Sequence, residues 1–498
     1  LGGFAYDPFP MSLRIYDTMA RALVDFRPKE DGVVRMYNCG PTVYSSPHIG
    51  NFRSFLMADL LRRHLEARGY RVHQVMNITD VGHLTEDDIE EGEDKLMAAA
   101  RKERVDPFEI ARRYEQEFFK ALDSLHFKKA EEYPRATEHI QEMIEMIQGL
   151  LEKGHAYQVG GNVYFDEESF PGFGKLSHKN LDELLEGARV AVNEEKKDPR
   201  DFALWKTDDK HLMQWDAPWG RGFPGWHIEC SAMSRKYLGD ELDIHTGGED
   251  NIFPHHECEI AQSEGFTDKE PFVRHWVHCR HLLVDGKKMS KSLGNFYTIE
   301  DLVEEGWTGR EIRVALGRVH YRQPLNFTKE SLAEARKGLQ RIKEARARLL
   351  RIVLGIEQGG IEELGPDLER AREDFGKALD EDLNISAAMA VLFDLVSRVN
   401  RAKPTQQGAE EALVLFRNFE DWTGMVGDEP KIQSEEGSVV WMAEAEDPKR
   451  REVVALAKER TEAKAKKDYQ RADEIRDRLT QMGYRLVDTA EGIRIEKV

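Results

Sequence analysis

The chain has 498 residues, 40 % of them apolar and 33 % charged, with a formal net charge of −20. That is a water-soluble composition too long for a single core, so two to four domains are expected. There is no run of eighteen apolar residues, so no membrane span is expected, and the acidic balance by itself argues against binding phosphate-rich polymers.

Residues 1–10 carry no basic segment followed by an apolar one, so they do not read as a secretory signal. Met11-Ser12-Leu13-Arg14-Ile15-Tyr16 reads as a natural beginning and residues 1–10 as an upstream extension. Val33-Val34-Arg35-Met36-Tyr37 is a short apolar strand. A loop broken by Gly40 and Pro41 follows over residues 38–48. Over residues 50–68, Phe52, Phe55, Leu56, Leu60, Leu61 and Leu65 recur at helical spacing, and Gly69 stops that helix. Residues 71–78 form a second strand. Strand, helix and strand this close predict a parallel sheet with a crossover helix, whose ligands gather at the strands' carboxyl ends. Residues 107–153 read as Glu- and Lys-rich helices. Residues 154–204 mix short strands and turns, as an insertion would, and 226–265 return to sheet-and-helix alternation. Residues 301–354 and 367–423 read as long amphipathic helices, 427–438 as a linker, 448–482 as a helix pair or one long helix, and 484–498 as a small hairpin.

The charge is uneven. Residues 336–351 carry Arg336, Lys337, Arg341, Lys343, Arg346, Arg348 and Arg351 against the single acid Glu344, and a second basic cluster covers 449–467. Such faces suit either solvated helices or RNA docked at chosen places. The four cysteines, Cys39, Cys230, Cys258 and Cys279, lie far apart and make no disulfide framework. A reducing cytoplasm is expected, with each thiol buried or metal-bound.

Two segments suit polyphosphate chemistry. Pro47-His48-Ile49-Gly50-Asn51 lies where the first loop becomes a helix, so backbone N–H groups and a positive dipole end are expected there. Gly50 lets the backbone approach a ligand, and His48 and Asn51, three apart, can address the same one. Taken alone, His48 equally suits a helix cap. Lys288-Met289-Ser290-Lys291-Ser292-Leu293-Gly294-Asn295 brackets small residues with two lysines, and Gly286 and Gly294 let the loop move. Cations of this kind neutralise a phosphoryl transition state, although a solvated turn has the same composition. In Pro254-His255-His256-Glu257-Cys258-Glu259, His255 and Glu259 stand at i, i+4 and can share a cation on one helix face.

Taken together, the His48–Asn51 and Lys288–Asn295 segments resemble the paired signatures of class I aminoacyl-tRNA synthetases, with Asn51 in place of the second histidine. Four further blocks narrow the likeness: Asn38-Cys39-Gly40-Pro41-Thr42-Val43-Tyr44, Gly225-Trp226-His227-Ile228-Glu229-Cys230-Ser231-Ala232-Met233, Asp243-Ile244-His245-Thr246-Gly247-Gly248-Glu249-Asp250, and the 255–259 segment. These closely resemble the cysteinyl-tRNA synthetase family over residues 15–332, and more loosely to the end.

The resemblance implies an α/β fold: a Rossmann-like parallel-sheet catalytic domain (11–130 and 226–282) with a connective insertion (131–225). A stem-contact region with the lysine loop (283–330), a helical anticodon-binding bundle (331–426) and a small C-terminal tRNA-binding domain (439–498) follow. It implies zinc ligands Cys39, Cys230, His255 and Glu259, with Cys258 and Cys279 structural. ATP with Mg²⁺ is expected at His48, Gly50, Asn51, Lys288, Lys291, Gly247, Gly248 and Asp250, with Lys291 the principal contact. Thr42 and Trp226 would serve cysteine.

The implied chemistry is coherent. Zinc favours thiolate and imidazole and lowers a bound thiol's pKa, whereas the serine hydroxyl is a poor ligand. Rejecting serine by ~10⁴ needs roughly 5.5 kcal/mol, which a metal–sulfur bond supplies without an editing domain. The expected partners are tRNA(Cys), L-cysteine and ATP, and a monomer is expected. A cysteine ligase acting on a sugar amine, or a non-catalytic synthetase-like tRNA-binding protein, are the competing readings.

Overall fold

The computed structural model describes residues 12–82, 84–86, 91–178, 195–209, 211–290, 293–428, 432–434, 437–441, 449–489 and 492–497. The extension at 1–10 and Lys291 fall outside them. The chain divides into two compact units, Leu1–Ala335 with Gly376–Ala388, and Arg336–Phe375 with Met389–Val498.

The centre of the first unit is a four-stranded sheet. Strand β1 (Val33–Asn38) leads through helix α1 (Ile49–Ala67) to strand β2 (Arg71–Met76). After the insertion come helix α2 (Trp226–Leu238), strand β3 (Leu242–Gly248), helix α3 (Glu257–Thr267) and strand β4 (Val273–Cys279). The order is β4-β3-β1-β2 and every pairing is parallel, with Met36 opposite both Gln74 and Ile244. Both faces are covered, which is why the strands read as near-continuous apolar runs. Val34, Met36, Val72, Ile244 and Val277 pack with Met57, Ala58, Leu61 and Leu65 of α1. Tyr37, Val75, Val273 and Trp276 pack on the other face with Cys230, Leu238 and Ile260 of α2 and α3. Leu61 and Leu65 are wholly buried, each stabilising the layer by about 1.5–3 kcal/mol. Gly69, at φ +87°, takes the left-handed turn that releases the chain from α1 into β2.

The chain leaves β1 toward β2 on one side and returns to β3 on the other. The strand order therefore reverses between β1 and β3, the place where open α/β sheets bind ligands beyond their carboxyl ends. The insertion is an antiparallel five-stranded sheet in the order Trp215–Ala217, Gly220–Pro224, Phe202–Lys206, Asn162–Phe165, Ala156–Val159.

The second unit draws on helices Lys329–Val353, Gly365–Asp380, Ile385–Arg401 and Gln406–Thr423. It ends in helices Arg450–Ala465 and Tyr469–Gln481, packed on a four-stranded sheet through Val453, Ala457, Ile475, Leu479, Tyr484 and Ile495. The linker expected at 427–438 instead contains strand Ile432–Ser434, paired with Gly437–Trp441. The terminal hairpin, Tyr484–Thr489 with Gly492–Lys497, joins that same sheet. Among the described residues no helix is long and apolar enough to cross a membrane.

Candidate active site and metal centre

The residues following all four strands meet around one cavity of about 650 Å³. Cys39 follows β1, Asn77 and Thr79 follow β2, Glu249 and Asp250 follow β3, and Arg280 and His281 follow β4; all of them line it. Of the residues singled out in the sequence, Cys39, Thr42, His48, Gly50, Asn51, Trp226, Cys230, Gly248, Asp250, His255 and Lys288 line this cavity. Gly247 and Glu259 are not in the lining. At Gly247 an added Cβ would lie 2.7 Å from His256 Cε1, so its bareness makes room for a ring.

Gly40 is the glycine the first loop cannot replace, because an added Cβ would lie 1.7 Å from the Asn77 carbonyl oxygen. The backbone turned this way delivers Cys39 into the cavity and leads to the start of α1. His48 caps that helix. Its Nδ1 accepts from the Asn51 N–H at 3.3 Å, and Asn51 Oδ1 accepts from the His48 N–H at 3.1 Å. With Nδ1 accepting, the ring proton belongs on Nε2. The Ile49 N–H donates to Tyr297 O at 3.0 Å, and Phe296 meets the His48 ring edge-on. The helix start is therefore capped from within, where bare N–H groups were expected.

Lys288 is carried by a hairpin of Leu282–Val284 and Lys287–Lys288. Asp285 and Gly286 both have positive φ, 50° and 73°, the two-residue turn whose twist matches its strands. Gly286 thus closes a tight turn, where the sequence suggested a hinge. Asn295 reaches back, accepting the Ser290 N–H at 2.9 Å and donating to Lys288 O at 3.2 Å.

At the cavity floor, donor atoms of Cys39, Cys230, His255 and Glu259 all lie within 4.8 Å of one another. His255 Nε2 is 3.1 Å from Glu259 Oε1, and Cys39 Sγ is 4.0 Å from the same oxygen. A tetrahedral ion with Zn–S about 2.3 Å and Zn–N about 2.0–2.1 Å spaces its donors about 3.3–3.8 Å apart, so the set fits zinc. The cluster's electrostatics point the same way. Burial pulls the His255 imidazole down, but the charges of Cys230 and Glu259 hold it up at about 10. Burial also opposes ionisation of Glu259, yet His245 and His255 hold its carboxyl at about 2. The Cys39 hydrogen bond and burial push the Cys230 thiol well up. A cation among these buried donors would offset that cost and let the thiols ionise.

A second set, Cys39, His245, His256 and Glu259, also has its donors within 4.8 Å. The sequence reading gave His245 and His256 no role. Both are fully buried and neither lines the cavity, whereas Cys39, Cys230 and His255 do. An ion held by the first set would face the cavity. Glu249 was also missed: it grips Arg280 Nη1 at 3.0 Å and the His281 ring, fixing one cavity wall.

Residues 25–337 match the family of tRNA synthetases class I (C) catalytic domains, and residues 374–427 match the DALR domain. The cysteine–tRNA ligase of Thermus thermophilus is 44 % identical over 494 residues, covering 97 % of this chain and 99 % of that protein. The cysteine–tRNA ligase of Deinococcus radiodurans is 43 % identical over 492 residues, covering 98 % and 97 %. Two solved structures share the fold. Mycobacterium tuberculosis methionyl-tRNA synthetase has a TM-score of 0.55 at 15 % identity, covering 78 % of this chain and 89 % of its own. LeuRS of Agrobacterium radiobacter has a TM-score of 0.57 at 13 % identity, covering 95 % and 96 %. The chain belongs to the cysteine–tRNA ligase family of class I aminoacyl-tRNA synthetases.

Proposed function

We propose that the chain activates L-cysteine with ATP to cysteinyl-adenylate and transfers it to the 3′ end of tRNA(Cys), selecting the thiol by zinc. The observation carrying this reading is the shared cavity: metal donors Cys39, Cys230 and His255 line the same space as His48, Asn51, Asp250 and Lys288. Cys39, Cys230, His255 and Glu259 would hold the zinc ion, which when bound supplies a bond that a thiolate forms far better than a hydroxyl.

The cysteine carboxylate attacks the α-phosphorus and pyrophosphate leaves. The nucleophile is already ionised, so the protein's work is positioning and charge neutralisation. Thr42 and Trp226 bound the amino-acid end; the Trp226 ring lies 4.4 Å from that of His255, closing the floor. His48, through its Nε2–H, and Asn51 orient the triphosphate, which arrives with Mg²⁺. Lys288 and Lys291 neutralise it. Gly248 and Asp250 border adenosine. A terminal ribose hydroxyl of the tRNA then attacks the adenylate. We assign tRNA recognition to 331–426 and 439–498, the stem contact to 283–330 and catalysis to 11–130 with 226–282 around the insertion at 131–225. The protein acts as a cytoplasmic monomer.

Amino-acid-dependent ATP–pyrophosphate exchange and tRNA charging test the reading. Cysteine should drive both, and serine should be poorer by ~10⁴ in kcat/KM. Equal exchange with serine, or none with cysteine, would overturn it.

A further inference from the structure

Helices Gly365–Asp380 and Ile385–Arg401 are joined by a turn that belongs to the first unit. Two consecutive residues of this turn, Asp382 and Leu383, have positive φ, 60° and 53°. Neither is glycine, and a left-handed leucine is uncommon, so the surroundings over-determine this backbone. The Asp382 N–H donates to Arg14 O at 2.9 Å, and Leu383 is buried in the same core as Leu61 and Leu65 of α1. So held, the Asp382 carboxylate is 2 % exposed. It accepts from the Tyr16 N–H at 2.8 Å, from the Tyr321 hydroxyl and from Arg322 Nε. The Arg322 guanidinium also lies over the Tyr16 ring, 4.5 Å from its centroid. Tyr321 and Arg322 stand one step from the cavity. The Arg280 N–H donates to Tyr321 O at 2.8 Å, and Arg280 lines the cavity. On either side, His320 O and Gln323 O accept from Arg53, in α1 just past Asn51. Asp380 takes the other end of that helix, with His64 Nε2 2.8 Å from its Oδ1 and Arg68 Nη2 on its Oδ2.

We propose that Asp382 is a positioning residue for ATP: through Tyr321 and Arg322 it sets where Arg280 at the cavity wall, and the helix start bearing His48 and Asn51, stand against the nucleotide. The proposal rests on the activation reading above. A buried carboxylate paired with an arginine is a poor device for stability alone, since apolar packing of the same volume is often as good or better. What it supplies is a single register for the groups that converge on it. Phosphoryl chemistry depends on such register, because the protein's work there is placement and small displacements are costly. The effect falls on one substrate. Cysteine is placed in that reading by Thr42, Trp226 and the metal donors, on other elements, so its KM should not follow.

Cysteine-dependent ATP–pyrophosphate exchange on the full-length chain, with each substrate varied in turn, tests this. Asp382→Asn keeps an acceptor for Tyr16 or Tyr321 but loses the charge that holds Arg322. It should lower kcat/KM for ATP about 10–100-fold and leave the KM for cysteine within about 2-fold of the parent. Tyr321→Phe removes only the hydroxyl that reaches Asp382. It should act in the same direction by about 3–10-fold, and it carries the test if Asp382→Asn does not fold. Glu381→Gln removes the exposed ion pair with Arg14 from the same turn and should leave both constants as they are. A residue that only stabilises the fold would leave the constants of the folded fraction alone. Unchanged ATP constants in Asp382→Asn or, failing that, in Tyr321→Phe would therefore overturn the proposal, and so would an equal loss for ATP and for cysteine. If the parent itself shows no exchange with cysteine, the activation reading fails instead. Calorimetric affinity for a non-hydrolysable ATP analogue then decides: weaker binding in Asp382→Asn upholds the positioning role, and equal binding overturns it.

Discussion

Asp59 shows how one buried charge is settled. It is 3 % exposed, lies 2.8 Å from Arg63 Nε, meets Arg313 Nη2, and accepts the Lys128 N–H at 2.8 Å. Burial pushes its carboxyl up, but Arg313 and Arg63 pull harder and hold it below its ordinary value. A carboxyl depressed on folding stabilises fully above its unfolded pKa, about 3.9, and loses that contribution as pH falls through the folded value. Asp59→Asn should therefore cost about 3–5 kcal/mol near neutrality, and the gap from the parent should close only below about pH 4. Urea unfolding across a pH series measures this; a gap that is constant down to pH 3 would contradict it. The four donors that cluster at the cavity floor were readable at the same scale for a different reason. Cys39, Cys230, His255 and Glu259 stand inside long ordered blocks that resemble one family, whereas spacing alone could assign only the His255–Glu259 pair. His256 escaped because its partner is remote in sequence: Cys39 is 217 residues away. The one local hint was a bare Gly247, which reads equally as a nucleotide contact.

At the scale of elements, α1 is anchored by more than its apolar stripe. Arg53, 3 % exposed, donates to four backbone carbonyls, Arg280 O at 3.2 Å, Leu316 O at 3.0 Å, His320 O at 3.3 Å and Gln323 O at 2.6 Å. The guanidinium thereby ties the helix bearing His48 and Asn51 to the segment that follows β4. Arg53→Leu leaves those acceptors unsatisfied and should destabilise by at least ~3 kcal/mol. Arg53→Lys should recover little, because an ammonium lacks the fork that reaches separated carbonyls. Urea unfolding of the two variants checks this, and a loss under ~1 kcal/mol for Arg53→Leu would contradict it. The sequence shows α1 well, since its apolar residues repeat at 3.6 and Gly69 ends it. It hides strand Ile432–Ser434, because Gly427, Pro430 and the surrounding glutamates give a linker's composition and the pairing that makes it a strand lies with Gly437–Trp441.

For the whole molecule, the α/β class follows from a strand–helix–strand start, and the identity from motif order. The full-length matches, which include the DALR domain, favour a tRNA ligase over a shorter ligase acting on a sugar amine. The net charge of −20 misleads only as a sum. Lys464, Lys466 and Lys467 are exposed together at the end of one helix in the second unit. Reversing all three to Glu should raise the KM for tRNA about 10-fold and flatten its salt dependence, because fewer counterions are released, while pyrophosphate exchange stays unchanged. Equal loss of both activities would contradict this division of labour. The central claim is the thiol-selecting ion. Elemental analysis of the purified chain beside its Cys230→Ser variant tests it most directly. The account predicts roughly one zinc per chain in the parent and a large loss in the variant; a parent free of transition metal, or a variant holding as much zinc as the parent, would contradict it.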